Sequence, residues 1–513
     1  MIGAIQGGIK VGWIKDMVTK AAIKILNIKP AVDKTVTIRE PLSYQGNVLR
    51  NRLWYRGDPS ELDQFFKQSA LDAVARSRFW AAVPSEDLNI RKIHSGLPAM
   101  ITDKLSDIVI ADLDKIELNN EASNELWKDI SKDNKFNELL GESITETLVA
   151  GDGAFKITVD TDLTKYPIME FYSGERVDYK YNRGRLQEIL FYTEYIVENK
   201  AYKLEESYGK GYIRYKLYDE TGKEVNLNAV RETANLKDIT FTSNFIMGVP
   251  MKFFKSAKFK NRGKSVFDNK SDSFDLLDEV ISQWIDAIRD GRVVKYIPED
   301  LVPTNPDTGE ILKPNSFDNK FIKIGSSLSE DAKNQIDMKQ AEINYQAFIE
   351  SYSNAIDMCL QGIISPATLG IDLKKTDNAE AQREKEKTTL YTRGKIVDTL
   401  TEVIPELIKL VLGVNDLILE QNPGEYESTI SFGEYASPSF DTVVETVGKA
   451  KSYGIMSIEK AVNELYGDTM TDDEKAEEVQ LIKEQNGYLE AEEPKVPDDE
   501  EIDPGADADG EEE

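Results

Sequence analysis

The feature that most constrains this chain is a helical pattern that runs without interruption from residue 377 to about 412. At 1.5 Å per residue it predicts a rod of roughly 54 Å. Pro405 lies inside it, removes a backbone hydrogen bond and crowds the carbonyl of Thr401, so a kink is expected there. Two shorter amphipathic helices precede the rod. The first, 273–289, gathers Phe274, Leu277, Ile281, Trp284, Ile285 and Ile288 on one face and ends at Gly291. The second, 340–363, keeps Tyr345, Phe348, Tyr352, Ile356, Cys359 and Ile363 in register until Ser365-Pro366 stops it. Between them the pattern predicts a strand at 293–298, a Pro/Asn/Gly-rich loop at 303–309 and a second strand at 320–324.

The rest of the chain mixes both periods, so the fold class expected is α+β. Asp58-Pro59-Ser60 opens a helix carrying Leu62, Phe65 and Phe66. A second helix covers 97–113, with Ile101, Leu105, Ile108 and Val109 on one face. A single long helix is expected over 123–149, stopping at Gly151-Asp152-Gly153, with a strand at 154–160 leaving it. Residues 166–227 read as an antiparallel meander, broken by Asn182-Arg183-Gly184, Tyr208-Gly209-Lys210-Gly211 and Glu220-Thr221-Gly222. After the rod come a strand at 428–432 and three short helices at 442–453, 457–466 and 472–485.

Composition narrows the chemistry. At 513 residues the chain has room for about three domains. The single cysteine, Cys359, excludes an internal disulfide framework. The single histidine, His94, has no nucleophile signature beside it, which leaves triads and histidine-based zinc sites without material. Gly263-Lys264-Ser265 has the form of the end of a phosphate loop, but Lys258 stands where that loop needs glycine. No metal or cofactor is expected. Carboxylates are plentiful, so residue types alone leave a carboxylate-metal nuclease open.

The charge is −29, from 63 basic and 92 acidic residues. Residues 488–513 hold 13 acids and one lysine, with three prolines, and are expected to stay solvated and disordered. Residues 1–30 carry five lysines and one aspartate on an imperfect helical stripe. Those lysines interrupt any signal-peptide core, and no apolar run nears the ~20 residues a membrane span needs. Such an acidic surface does not hold DNA tightly, because binding depends on Lys and Arg neutralising phosphates.

The order helix, strand, loop, strand, helix, polar stretch, long helix resembles the portal proteins of long-tailed phages, in particular the branch common in Gram-positive hosts. The residues that carry it are Trp54-Tyr55-Arg56-Gly57 with Leu62 and Phe65, and the 100–118 segment. The strongest run is Val249-Pro250-Met251-Lys252-Phe253-Phe254, Gly263-Lys264-Ser265-Val266-Phe267, Leu277-Asp278-Glu279 and Arg289-Asp290-Gly291-Arg292. Next is Ile363-Ile364-Ser365-Pro366-Ala367-Thr368-Leu369-Gly370. The family often has a Gly-Gly pair where this chain has Gly151-Asp152-Gly153, and commonly Phe where it has Leu369.

The resemblance implies a non-enzymatic ring of about twelve subunits at one vertex of a virion, assembled in the host cytoplasm, through which double-stranded DNA is packaged and ejected. Its implied regions are a basic arm (1–39), wing (40–270), first stem helix (271–292), clip (293–329), second stem helix (330–364) and tunnel loop (365–376). A long kinked helix with a strand (377–435), a crown (436–487) and the acidic tail (488–513) complete it. The implied partners are other copies of the chain, the large terminase subunit, a head-completion adaptor and the capsid and scaffold proteins, with no membrane. Lys295, Tyr296, Lys313, Lys320 and Lys323 would offer the clip's docking surface. Lys374 and Lys375 would touch DNA at the tunnel loop, although adjacent lysines before a helix are commonly solvated surface. On the first stem helix, Asp275, Asp278, Glu279 and Asp286 are expected to face a solvent-filled channel. A minor capsid or adaptor subunit is the nearest alternative.

Overall fold

The Ser43 hydroxyl accepts the Gly46 amide and so caps a helix that apolar periodicity does not reveal, α1 (Tyr44–Arg56), which Gly57 closes at φ 69°. Its buried face includes Asn47 and Asn51, whose amides donate to Asp268 (2.9 and 3.2 Å). Polar residues in core positions hide the helical stripe. This computed structural model describes residues 42–70, 73–83, 90–242, 244–298, 301–302, 305–308, 310, 320–325, 336–371, 379–433, 440–466 and 470–485. The expectations for the 1–39 arm, Lys313, Lys374, Lys375 and the 488–513 tail lie outside these residues.

Asp58 caps α2 (Pro59–Ser69) by accepting the amides of Ser60 and Glu61, with Pro59 at the first helical position. Next come α3 (Leu97–Ala111) and β1 (Leu113–Leu118). The single helix expected over 123–149 is two, α4 (Glu121–Asp133) and α5 (Phe136–Ala150). Asn134 causes the break. Its side chain donates to the carbonyls of Ile130 and Pro167 and accepts the Met169 amide (2.7 Å), and Lys135 then turns to φ 48°.

From Gly151, at φ 105°, the chain enters β2 (Gly153–Thr158), antiparallel to β3 (Ile168–Ser173). The expected meander is β4 (Val177–Asn182), β5 (Arg185–Val197), β6 (Lys200–Gly209), β7 (Tyr212–Asp219) and β8 (Glu224–Val225), with β9 (Ile239–Thr240) added on β7. The β5–β6 turn uses Glu198 and Asn199, both at positive φ, and no glycine announces it. β10 (Gly248–Met251) returns to pair with β2.

Buried Asp152 ties these pieces together. Its two oxygens accept Arg262 Nε and Nη2 (3.0 and 2.8 Å), and one also accepts the Tyr44 hydroxyl (2.9 Å). The guanidinium lies 3.8 Å from the Tyr44 ring centre and donates to the carbonyls of Val177 and Gly174. The amide of Gly263 donates to Asp152 Oδ2 (2.6 Å), and a Cβ at Gly263 would lie 2.0 Å from the Gly151 carbonyl oxygen. Glycine at 263 therefore serves close packing.

α6 (Ser271–Asp290), β11 (Val294–Pro298), β12 (Lys320–Ile324), β13 (Asp337–Lys339) and α7 (Tyr345–Leu360) follow. The second of the two helices begins at Tyr345, later than 330 or 340, because 337–339 join a sheet. α8 (Ala379–Ile418) is a helix of 40 residues that continues through Pro405. It buries Ile396, Leu400, Ile404, Leu407, Ile408 and Val411, and β14 (Ser428–Phe432) pairs with β1. Two units divide at Ser431. The second holds α9 (Phe440–Ser452), α10 (Ile458–Tyr466) and α11 (Asp472–Gln485), packed on buried Val447, Ala461 and Val462. The fold is α+β, mixed helix and sheet.

Candidate functional site

α6 is a rod of roughly 30 Å whose two halves have different surroundings. Its first half is built into the body by carboxylates. Asp275 accepts the amides of Phe79 (2.9 Å) and Trp80 (3.0 Å). Asp278, which has no exposed surface, accepts Trp80 Nε1 (3.0 Å), the Ser95 amide (2.8 Å) and His94 Nδ1 (2.7 Å). Ser282 accepts the Ile93 amide and donates to the Asp278 carbonyl. Burial pushes the Asp275 carboxyl up, and the two amides partly oppose the rise.

Asp275 and Asp278 therefore do not face a channel. They look inward because the 79–83 and 90–95 stretches lie against this face of α6 outside any helix or strand, and their amides need acceptors. Glu279 and Asp286 remain partly exposed. His94, packed at 5.7 Å against Trp54, belongs to the same clamp, and its Nε2 has no partner among the described residues.

α6 runs beside α7 along its length in an antiparallel pair. Lys270 Nζ donates to the carbonyls of Met358 and Gln361 at one end, Trp284 stacks on Phe348 in the middle, and Gly291 abuts Ile343 at the other. The Trp284 and Phe348 rings are 6.2 Å apart and 3° from parallel, and Tyr352 tilts against Trp284 at 6.3 Å. Outside this seam the pair leaves apolar groups uncovered: Ile288 is 50% exposed, Ile349 47% and Tyr345 66%. At the foot, Ala355, Ile356, Cys359 and Leu360 are buried, and burial pushes the Cys359 thiol up to about 12.

A small sheet joins the far ends of the pair. β11 is central, parallel to β12 and antiparallel to β13. The sequence located β11 and β12 but missed β13, whose three residues are too few to show a period. Lys295 is exposed, and Tyr296 is half-buried with Lys339 Nζ 5.6 Å from its ring centre. The parallel register sets Lys320 opposite Val294 and Lys323 opposite Ile297. The sheet thus brings Lys295, Tyr296, Lys320 and Lys323 into one element. Met338 on β13 is 64% exposed.

Among the described residues, no group of three or more His, Cys, Asp or Glu is placed to hold a metal ion, and no helix is long and apolar enough to cross a membrane. No family model matches the sequence, and no curated protein matches it. Solved structures give distant likenesses. One is a chain of the virion of a native gene transfer agent particle (TM-score 0.35, 12% identity, 90% of this chain and 99% of that one). Another is from the neck of a native gene transfer agent particle computed with C12 symmetry (TM-score 0.38, 11% identity, 85% and 99%). A third is from the neck of an empty particle computed with C6 symmetry (TM-score 0.33, 13% identity, 80% and 98%).

Proposed function

We propose that this chain is a structural subunit of a phage-like head and neck and, more specifically, a portal protein. Copies of it form a ring of about twelve around a channel for double-stranded DNA. The observation that carries the reading is the helix pair α6–α7, rooted at one end, capped by a sheet at the other, and clad along its free length in uncovered apolar side chains. Tyr345 and Ile349, one turn apart on α7, are exposed together with Ile288 on α6 and Met338 on β13, and apolar exposure grouped on one projection marks an interaction surface where singly scattered residues would not. A ring supplies the cover: a face of one copy meets a different face of the next, and the repeat closes.

In such a ring the small sheet is presented to the outside, with Lys295 and Tyr296 available to a terminase or an adaptor. Lys374 and Lys375 would meet the DNA at the tunnel loop, in an acidic channel that avoids strong phosphate traps. The chain supplies no motor, and the packaging ATPase is a separate terminase subunit. Native mass spectrometry and electron-microscopy class averages of the purified protein test this together. The expected result is a closed ring near twelve subunits with no ATP hydrolysis. A stable monomer at micromolar concentration, or magnesium-dependent turnover of ATP or DNA, would overturn it.

A further inference from the structure

The Gly263-Lys264-Ser265 segment lacks the sequence of a phosphate loop, and its backbone is spent on packing, yet the Lys264 side chain lines a cleft of 440 Å³. That volume lies within the ~300–1,000 Å³ usual for small-ligand sites. Four segments wall it. The 254–256 and 262–264 stretches form a tight hairpin, closed by bonds from the Lys264 amide to the Phe254 carbonyl (2.7 Å) and from the Ser256 amide to the Arg262 carbonyl (3.1 Å). Gly362 follows α7 and Lys395 lies on α8, so the walls are fixed by elements already packed in the body.

Three lysines, Lys255, Lys264 and Lys395, line this cleft, and no acidic residue does. None of the three has an ion pair among the described residues. Asp268, beside Ser265, is occupied: its oxygens accept Asn47, Asn51 and the Ser265 amide, and Arg50 lies 3.5 Å away. In a chain with 92 acids to 63 bases, three uncompensated lysines around one cleft run against the composition. A fourth, Lys270, is held nearby by the carbonyls of Met358 and Gln361. Burial depresses its ammonium, and the like charge of Lys264 adds to the depression. Among the described residues no carboxylate pairs with Lys255, Lys264 or Lys395.

We infer that the cleft bounded by Lys255, Lys264 and Lys395 binds phosphate groups. A single carboxylate would neutralise one of the three charges, whereas a polyphosphate or a run of phosphodiesters meets all of them. Lysine binds phosphate well as a point charge. The ligand is either the backbone of a nucleic acid or a free polyphosphate anion. The inference does not depend on ring formation.

The test titrates the purified protein with inorganic tripolyphosphate and with a 20-base-pair DNA duplex, each at two salt concentrations. The proteins compared are the wild type, the Lys264→Gln/Lys395→Gln double variant, and Lys200→Gln as an exposed lysine elsewhere. The double variant should bind about tenfold more weakly or worse, with the thermal midpoint unchanged and Lys200→Gln like the wild type. Binding of the duplex alone, lost in the double variant, assigns the site to nucleic-acid backbone. Its salt slope should then fall by roughly two. Binding of tripolyphosphate, lost in the same variant, assigns it to a free polyphosphate. The inference is overturned if neither anion binds the wild type, or if the double variant binds both as the wild type does. Native mass spectra of the same samples report assembly separately, so failure of the portal reading would be distinguishable.

Discussion

The two halves of α6 make opposite use of one amphipathic pattern. In the first half, Asp275 and Asp278 point into the body and satisfy the backbone amides of Phe79, Trp80 and Ser95 and the Trp80 indole. In the second half, Trp284 leans on α7 while Ile288 faces water. The first half sets how firmly the helix is rooted. The second has surface to spare. A carboxylate on a helix can thus be more structural than an isoleucine on the same helix, and only its partners tell which.

The largest effect expected from breaking that contrast is at Asp278. Asp278→Ala strands the Trp80 indole, the Ser95 amide and His94 inside the body, at a cost of about 3–5 kcal/mol. Chemical denaturation of the purified protein should report the loss. Cys359 offers a second readout, because its thiol at about 12 has almost no thiolate at pH 8 and reacts only when the foot of α7 opens. A thiol reagent should therefore label the variant much faster than the wild type. A variant as stable and as unreactive as the wild type would mean that the clamp contributes nothing.

A smaller effect is expected at the seam. Trp284→Ala removes the stack on Phe348 and the contact with Tyr352, worth about 2 kcal/mol for a half-buried ring. The loss should concentrate in the projecting part. Hydrogen exchange should rise over 283–290 and 345–352 while the Asp275–Asp278 turn keeps its protection. Uniform acceleration along α6 would show that the two halves are one cooperative unit.

Much of this was legible in the sequence, for identifiable reasons. The meander announced itself by β-branched and aromatic runs and by three glycine turns, although the glycine-free β5–β6 turn at Glu198-Asn199 was not visible, and α6, α8 and the three short C-terminal helices by their apolar period. What stayed hidden was polar. α1 carries Asn47 and Asn51 where a reader looks for Leu, and the α4–α5 break is made by Asn134, with no glycine or proline beside it to mark the stop. The charge pattern of α6 misled because periodicity assigns a residue to a face but does not say what packs on that face. Of the candidate site, the strands bearing Lys295 and Lys323 were visible, but β13 was not. The lysine cleft was invisible because Lys255, Lys264 and Lys395 are brought together from three separate stretches.

The smallest effect on folding, and the one that separates the halves most cleanly, is expected at Ile349. Its side chain is 47% exposed on the projecting stretch of α7, so Ile349→Glu removes little buried area from the isolated chain. Stability of the monomer should change by no more than about 0.5 kcal/mol, the usual scale for surface substitutions. Assembly should respond quite differently. If the uncovered faces of the pair meet neighbouring copies, a carboxylate there is buried without a partner in every interface of the ring. Native mass spectra should then show monomers where the wild type gives rings, with Ile288→Glu behaving alike. Rings that persist with both substitutions would mean that copies of the chain meet elsewhere, and that this face awaits a different partner.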